Sequence, residues 1–505
     1  MNAKYSLSMS RLALLLAGAV LCALPLSAQE PWREGQNIAG LSFYDSTYVQ
    51  ARVGGGFTSG GYRLPSEASR LWTAGAGAQA ERHFRDMVFT GSFSFELQHG
   101  KDMMGSMFTQ PGFYPIDVLE FTPGPKTRQT YQVGGGLAWL NGSRWIPGFT
   151  LNFQGINYSK RKDLRHTTYR QEIGFVPSLL YKGEGWNAGL SAILEKNSEF
   201  IQAEQIGTAT AESYYAFLDK GHRYGTYQVW DGSGIHLSDV GVDRMAVNQF
   251  AWGVAVQASL GQTLYADAEY KHSNGLLGEK GYTWFRFQGQ ELLAKLIWNL
   301  QTSGGLHRLR ADVAWEQKDN HESVIDRVTE GGVTTPVEYG NNRIYVRRVL
   351  NAGPSYAFES SSGWGVGAAA GLEVRRNRGT QMYPFLAYDA STLLNLSVDG
   401  HFPLGPVTLE AGLSYRQELA EEHSLVDTDE TQEGVSSTPF RLQDWWEMEE
   451  EYYDASRLGM RLNLRYDFSI GLFLEAGCEW YRIFHAELLP GLNRQTTHLT
   501  IGYRF

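Results

Sequence analysis

The chain is expected to fold as an all-β transmembrane barrel, antiparallel and up-and-down, of about 18 strands, or about 14–16 if its weakest segments stay unpaired. Three features lead there. Apolar and polar side chains alternate through segment after segment, so each segment has one apolar face. The connections between segments alternate between tight turns and long loops. The last segment puts Leu499, Ile501, Tyr503 and Phe505 on one face and His498, Thr500, Gly502 and Arg504 on the other.

Composition agrees. Of 505 residues, 42% are hydrophobic, 13% aromatic and only 19% charged, with 57 glycines. Such a chain is too long for one ordinary soluble core. No run of about 18 apolar residues follows the N-terminus, which excludes a conventional helical membrane protein. The net charge of −10 argues against nucleic acid as a partner. Residues 1–28 read as a secretory signal peptide: Lys4 and Arg11 give the basic start, Leu12 to Leu24 the apolar centre, and Ser27-Ala28 the small-residue cleavage region. Cys22 lies in that apolar centre behind Leu21, a poor setting for a lipid-anchor cysteine. Cleavage leaves Cys478 as the single cysteine, so no intramolecular disulfide is expected. Residues 29–46 form a polar lead, periplasmic or tucked into the lumen, and 47–505 form the barrel.

The alternation starts with Val49, Ala51, Val53 and Phe57 and continues through Trp72 to Ala80. It is clearest in Met87, Phe89, Gly91, Phe93, Phe95 and Leu97, set against Thr90, Ser92, Ser94, Glu96 and Gln98. Tyr131 to Trp139 turns at Asn141-Gly142-Ser143 into Phe149 to Phe153. Ile173 to Tyr181 turns at Gly183 to Gly185 into Trp186 to Leu194. Phe250 to Leu260 turns at Gly261-Gln262 into Leu264 to Tyr270, and Leu292 to Leu300 turns into Leu309 to Trp315. Val346 to Phe358 leads to Trp364 to Val374, and Leu394 to Phe402 to Val407 to Tyr415. Leu458 to Phe468 leads to Leu472 to Trp480, and the terminal segment closes the series. The weakest segments are the first, 342–358 (Arg348 and Pro354 fall on the apolar face) and 386–402. Long loops are expected near 58–70, 100–128, 161–166, 200–245, 272–280, 319–341, 378–386, 420–455 and 487–494. This puts both termini on the short-turn side, which is the periplasmic side of an outer-membrane barrel. Closure pairs every strand edge, as lipid requires. Trp139, Trp186, Trp298, Trp364, Tyr415 and Tyr503 suit the interfacial belts.

The opposite parity projects into the lumen. It carries Arg457, Arg461 and Arg465 on one strand, Glu475 and Glu479 on the next, Glu410 and Arg416 on the one before, and Glu373 and Arg375 further round. Mixed signs on neighbouring strands suit cross-strand ion pairs, which can shape a pore or simply stiffen the wall. The acidic, aromatic stretch 442–454 offers Trp445, Trp446, Tyr452 and Tyr453 as an external-loop partner surface. No catalytic spacing is present, so no enzyme, metal or cofactor is expected.

The whole mature region resembles uncharacterised outer-membrane barrels of the Bacteroidota, on the strength of Ser27-Ala28-Gln29, the Asn37-Ile38-Ala39-Gly40-Leu41 segment and the closing Tyr503-Arg504-Phe505. The Asn37 to Leu41 segment is similar, distantly, to one near the start of long-chain fatty-acid transporter barrels, where it sits inside the barrel. The resemblance implies outer-membrane lipid and the barrel-insertion machinery as partners, with a surface lipoprotein or TonB-dependent transporter as neighbours. The lead is too short for the plug of such a transporter. The expected function is passage or binding of small solutes. The alternatives are an accessory barrel docking a lipoprotein, transporter or secretion component, and a channel for hydrophobic substrates.

Overall fold

A computed structural model describes residues 31–44, 47–162, 164–204, 214–230, 245–279, 282–380, 387–424 and 442–505. The signal-peptide region 1–28 lies outside the described residues. In chain order the strands are β1 (Tyr48–Gly60), β2 (Arg70–Phe84), β3 (Met87–Ser106), β4 (Asp117–Trp139), β5 (Trp145–Lys160), β6 (Arg165–Lys182), β7 (Trp186–Glu204), β8 (Tyr214–Gly221), β9 (Tyr224–Trp230) and β10 (Met245–Leu260). They continue with β11 (Leu264–Glu279), β12 (Tyr282–Thr302), β13 (Gly305–Glu330), β14 (Val333–Ser360), β15 (Gly365–Gly379), β16 (Ala387–Leu404), β17 (Val407–Ser424), β18 (Arg457–Asp467), β19 (Leu472–Ile483) and β20 (Asn493–Arg504). Among the described residues, 18 of these form one closed antiparallel barrel. β8 and β9 stand apart as a hairpin, so β7 pairs directly with β10 and β20 returns to β1.

Closure is carried by the terminal strand. Val53 lies opposite Ile501 and Ala51 opposite Tyr503, so the apolar faces of β1 and β20 are in register. The apolar face points outward around the ring: Phe93 is 47% exposed, Leu151 52%, Leu190 53% and Leu260 57%. Exposed apolar surface of that extent fits hydrocarbon and not water. No helix among the described residues is long and apolar enough to cross a membrane, so any crossing is made by strands.

The segment containing Pro354 does pair, with a local defect. The β14–β15 ladder runs to Ala352 opposite Leu372 and resumes at Ser355 opposite Ala369. Pro354 has no N–H to donate and sits in the gap. Arg348 faces away from the lumen and donates to Gln317 at 2.8 Å.

Several stretches expected as loops are strand. β13 and β14 run through 319–341 and turn at Gly331-Gly332, both with positive φ. β11 covers most of 272–280. These extensions carry polar residues on both faces, so the one-sided apolar alternation that marks a lipid-facing strand is missing there. The 420–455 loop contains a helix, α1 (Leu442–Asp454).

A ring of 18 strands about 4.8 Å apart and tilted by about 40° has a backbone radius of roughly 18 Å. Side chains alone cannot fill that width. The chain fills it with its own segments. Residues 31–44 form two short 3-10 turns, Pro31–Arg33 and Ile38–Phe43, which pack against inward side chains at the short-turn end. At the other end, residues 107–121 and the β8–β9 hairpin fold inward. β4 pairs with β8 over Asp117–Glu120, and Met107, Phe108, Tyr114 and Val118 pack against Ile201, Val247, Phe285 and Ile344.

Candidate functional site

The site is the lumen and the segments that occupy it. The segment at 31–44 is held to one half of the wall. Trp32 packs edge-on to Tyr265, 5.6 Å between ring centres, and its Nε1 donates to Ser259 Oγ at 3.3 Å. Asn37 caps the second turn by accepting from Ala39 N at 3.0 Å, and its own N–H donates to Gln257 at 2.8 Å. Glu34 pairs with Lys295 at 2.7 Å and Arg310 at 2.9 Å, while Arg33 pairs with Glu81 across the lumen. Its contacts therefore run over β2 to β6 and β10 to β13. These partners could not be read from strand parity, because parity locates wall charges and is silent about an irregular segment. The Asn37 to Leu41 resemblance was the available signal.

The predicted lumen charges lie on the rest of the wall. Arg465 stands opposite Glu475 in the β18–β19 register and reaches it at 3.9 Å; it also meets Asp467 at 3.0 Å. Arg461 faces Glu479 in the same ladder and is exposed to the lumen. Asn463 bridges Glu410 at 3.4 Å and Glu475 at 3.3 Å. Arg457 stacks over Tyr481 at 4.8 Å and near Tyr62 at 5.9 Å. Glu373, Arg375 and Arg416 are buried under α1.

The expectation for Trp445, Trp446, Tyr452 and Tyr453 as an external partner surface is corrected by the position of α1. Trp445 is 2% exposed and Trp446 4%. Trp445 packs with Leu119, Phe121 and Phe217, and its ring rests on Gly105, where a Cβ would come within 2.8 Å of it. Gly105 also has a φ of +89°, so glycine meets two demands at one position. Tyr452 stacks on Tyr62 at 4.7 Å, and Tyr62 Oη donates to the Tyr452 carbonyl at 2.9 Å. Arg375 lies over the Tyr453 ring at 4.4 Å, and Arg416 donates to the Tyr453 carbonyl. The physical reason is that a wide lumen offers these rings more apolar burial than water does, and their polar ends find wall partners. Glu451 secures the far side by accepting from the backbone N–H groups of Glu487, Leu488 (2.8 Å) and Leu489 (3.0 Å).

α1 thus lies across the long-loop end of the lumen, from Gly105 of β3 and Phe121 of β4 to Arg375 of β15 and Arg416 of β17. Its seat is acidic. Asp454 lies 3.6 Å from Arg375, and Glu449 pairs with Arg223 of the β8–β9 hairpin. Burial, with Asp389 and Asp454 beside it, pushes the Glu450 carboxyl well above the usual carboxylate range. Between the inserted segments lies a cavity of about 380 Å³. Its charged lining is Arg170, Lys271 and Lys318 against Glu172, Glu195 and Glu291, so it is balanced, and amides such as Gln132 and Asn152 complete it. The histidines near the open rim face carboxylates: His423 meets Glu421 at 3.0 Å and His485 meets Glu487 at 3.1 Å.

Solved structures similar to this chain include receptors and a channel. The ferripyoverdine receptor of the outer membrane of Pseudomonas aeruginosa is 10% identical, with 92% of this chain and 72% of that one covered and a TM-score of 0.41. The ferric preacinetobactin receptor BauA of Acinetobacter baumannii is 8% identical, covering 92% and 80%, with a TM-score of 0.42. A deletion mutant of the monoaromatic hydrocarbon channel TodX is 9% identical, covering 93% and 92%, with a TM-score of 0.31. No curated protein sequence matches. The register, the outward apolar face and the closed ring describe an outer-membrane-type β-barrel, and over residues 38–505 the chain belongs to the family of unknown function designated DUF6850.

Proposed function

We propose that this chain is an outer-membrane barrel for regulated passage of small polar solutes, with α1 as a removable stopper. The observation that carries the reading is the cover of the lumen. Residues 31–44 attach to the wall along β2 to β6 and β10 to β13, and α1, packed with Tyr62 and Leu489, seats on Arg375 of β15 and Arg416 of β17, beside the strands that carry Arg461, Glu479, Glu410 and Asn463. α1 reaches β15 and β17 through polar contacts, to Arg375 and Arg416, which water can replace when the helix leaves, and it reaches β3 and β4 through the Trp445 ring. The balanced charges around the inner cavity favour neutral or zwitterionic solutes over strongly charged ones. In this reading the short turns and both termini are periplasmic, and the long-loop end faces outward.

Liposome swelling tests it. Proteoliposomes holding the full mature chain should swell slowly in a small neutral sugar, and several-fold faster when residues 425–455 are deleted. Equal, negligible rates in both would remove the pore reading. The β13–β14 hairpin supports a second reading, an accessory barrel docking a surface lipoprotein or transporter. It projects past the ring with Val333 63% and Tyr339 66% exposed. In that case a hairpin-truncated chain should lose a co-purifying partner while its solute flux stays at zero.

A further inference from the structure

The seat of α1 holds a group of oxygens with too little to bind. Asp389 of β16 and Glu450 and Asp454 of α1 are all buried, and one oxygen from each lies within 4.8 Å of the others. That span matches oxygens on opposite sides of a single ion with bonds of about 2.4 Å, the calcium range. Four carboxylates meet here, Asp389, Glu450, Asp454 and Glu373, and the guanidiniums acting on them are those of Arg375 and Arg416.

A second observation is independent of the clustering. Asn377 donates to Asp389 Oδ2 at 2.8 Å, which fixes that carboxylate and leaves Oδ1 buried without a partner. Both oxygens of Asp454 are likewise buried and accept no hydrogen bond, with the Arg375 guanidinium 3.6 Å away. Ser391 is fully buried, and its Oγ also has no partner. It stands two residues from Asp389 on the same inward face of β16 and opposite Arg375, whose guanidinium reaches Asp454. Three carboxylates, one oriented from behind by an amide, form an oxygen donor set for a hard cation.

We infer that Asp389, Glu450 and Asp454 form a calcium-class divalent cation site that clamps α1 to the barrel wall. The ion bridges β16 to both ends of the last turn of α1, so loading it fixes the stopper and removing it leaves like charges to push the helix out. The inference concerns the seat of α1 and stands whatever solute the barrel passes.

The test uses the full mature barrel in detergent. Terbium should bind with luminescence excited through the nearby Trp446 and Tyr453, and calcium chloride should displace it. Asp389→Asn and Asp454→Asn should each weaken calcium binding at least tenfold, as should Glu450→Gln, while Glu184→Gln, an exposed carboxylate in a distant turn, should not change it. Hydrogen exchange of residues 442–454 supplies a sign that packing alone would not produce. In chelator, Asp389→Asn should protect the helix more than the native chain; in calcium, less. Retained heat-modifiable migration shows that each variant has folded. The inference is overturned if the native chain shows no saturable calcium binding. It is equally overturned if binding persists undiminished in all three variants, or if exchange of α1 is the same in calcium and in chelator.

Discussion

Trp445→Ala is the sharpest single perturbation of the stopper. The indole is 2% exposed, wedged over Gly105 and beside Phe121 at 5.8 Å between ring centres. Removing a buried Trp side chain costs about 3–5 kcal/mol when the site cannot collapse. Collapse is hindered here, because the floor is strand backbone at Gly105 and the walls are Leu119 and Phe217. At about 1.4 kcal/mol per tenfold, the seated form of α1 should lose roughly 100-fold to 4000-fold in population relative to the released form. Hydrogen exchange followed by peptide mass spectrometry reads this directly. Peptides from 442–454 should lose protection by about that factor, while those from β18 and β19 keep theirs. Unchanged protection of α1 would refute the anchor. A uniform loss across the barrel strands would show that Trp445 supports the ring and not a separable stopper.

Other expectations follow from particular residues. Glu120→Gln should lower the melting temperature of the long-loop end, because it strips the partner from Lys126 at 3.0 Å and from Lys160, all with fully buried side chains, and breaking such a set costs about 3–5 kcal/mol. Burial pushes Asp117 up to about 7, against the hydrogen bond from Ser106 and the charge of Arg223. A raised acid favours the folded form at low pH, so docking of the β8–β9 hairpin on β4 should be strongest below about pH 4. It should weaken as the pH rises through about 7, and Asp117→Asn should flatten that dependence in exchange measurements on residues 216–221. Trp32→Ala should release residues 31–44 to limited proteolysis with the barrel still heat-modifiable; continued resistance would contradict the packing on Tyr265. Cys478 is exposed on the apolar face of β19. In proteoliposomes it should react with a lipid-soluble maleimide and resist a charged one.

The ring was legible in the sequence because lipid and lumen impose opposite demands on neighbouring residues. Phe89 and Thr90, or Leu464 and Arg465, announce their faces without any structure. Register followed from the tight turns, since Gly261-Gln262 or Leu404-Gly405-Pro406 leaves little freedom in how flanking strands pair. Where a strand leaves the lipid, that demand ends. The hairpin tips of β13 and β14 and the start of β4 were therefore read as loops. The interior segments were the least legible. Trp445, Trp446, Tyr452 and Tyr453 read as an exposed surface because a loop helix carries no sign of which side will cover it. The cover came from Gly105, Tyr62 and Phe121, residues far away in sequence and unremarkable alone. Asp389 likewise had no visible link to Glu450 and Asp454 until the fold brought β16 against α1.

The central claim is that α1 closes an otherwise passable lumen. Single-channel recording in planar bilayers tests it most directly, comparing the native chain with one lacking residues 425–455. The native chain should be silent or open only in brief events, and the deletion should show stable ohmic steps. A deletion variant that inserts, stays heat-modifiable and remains silent would contradict the account.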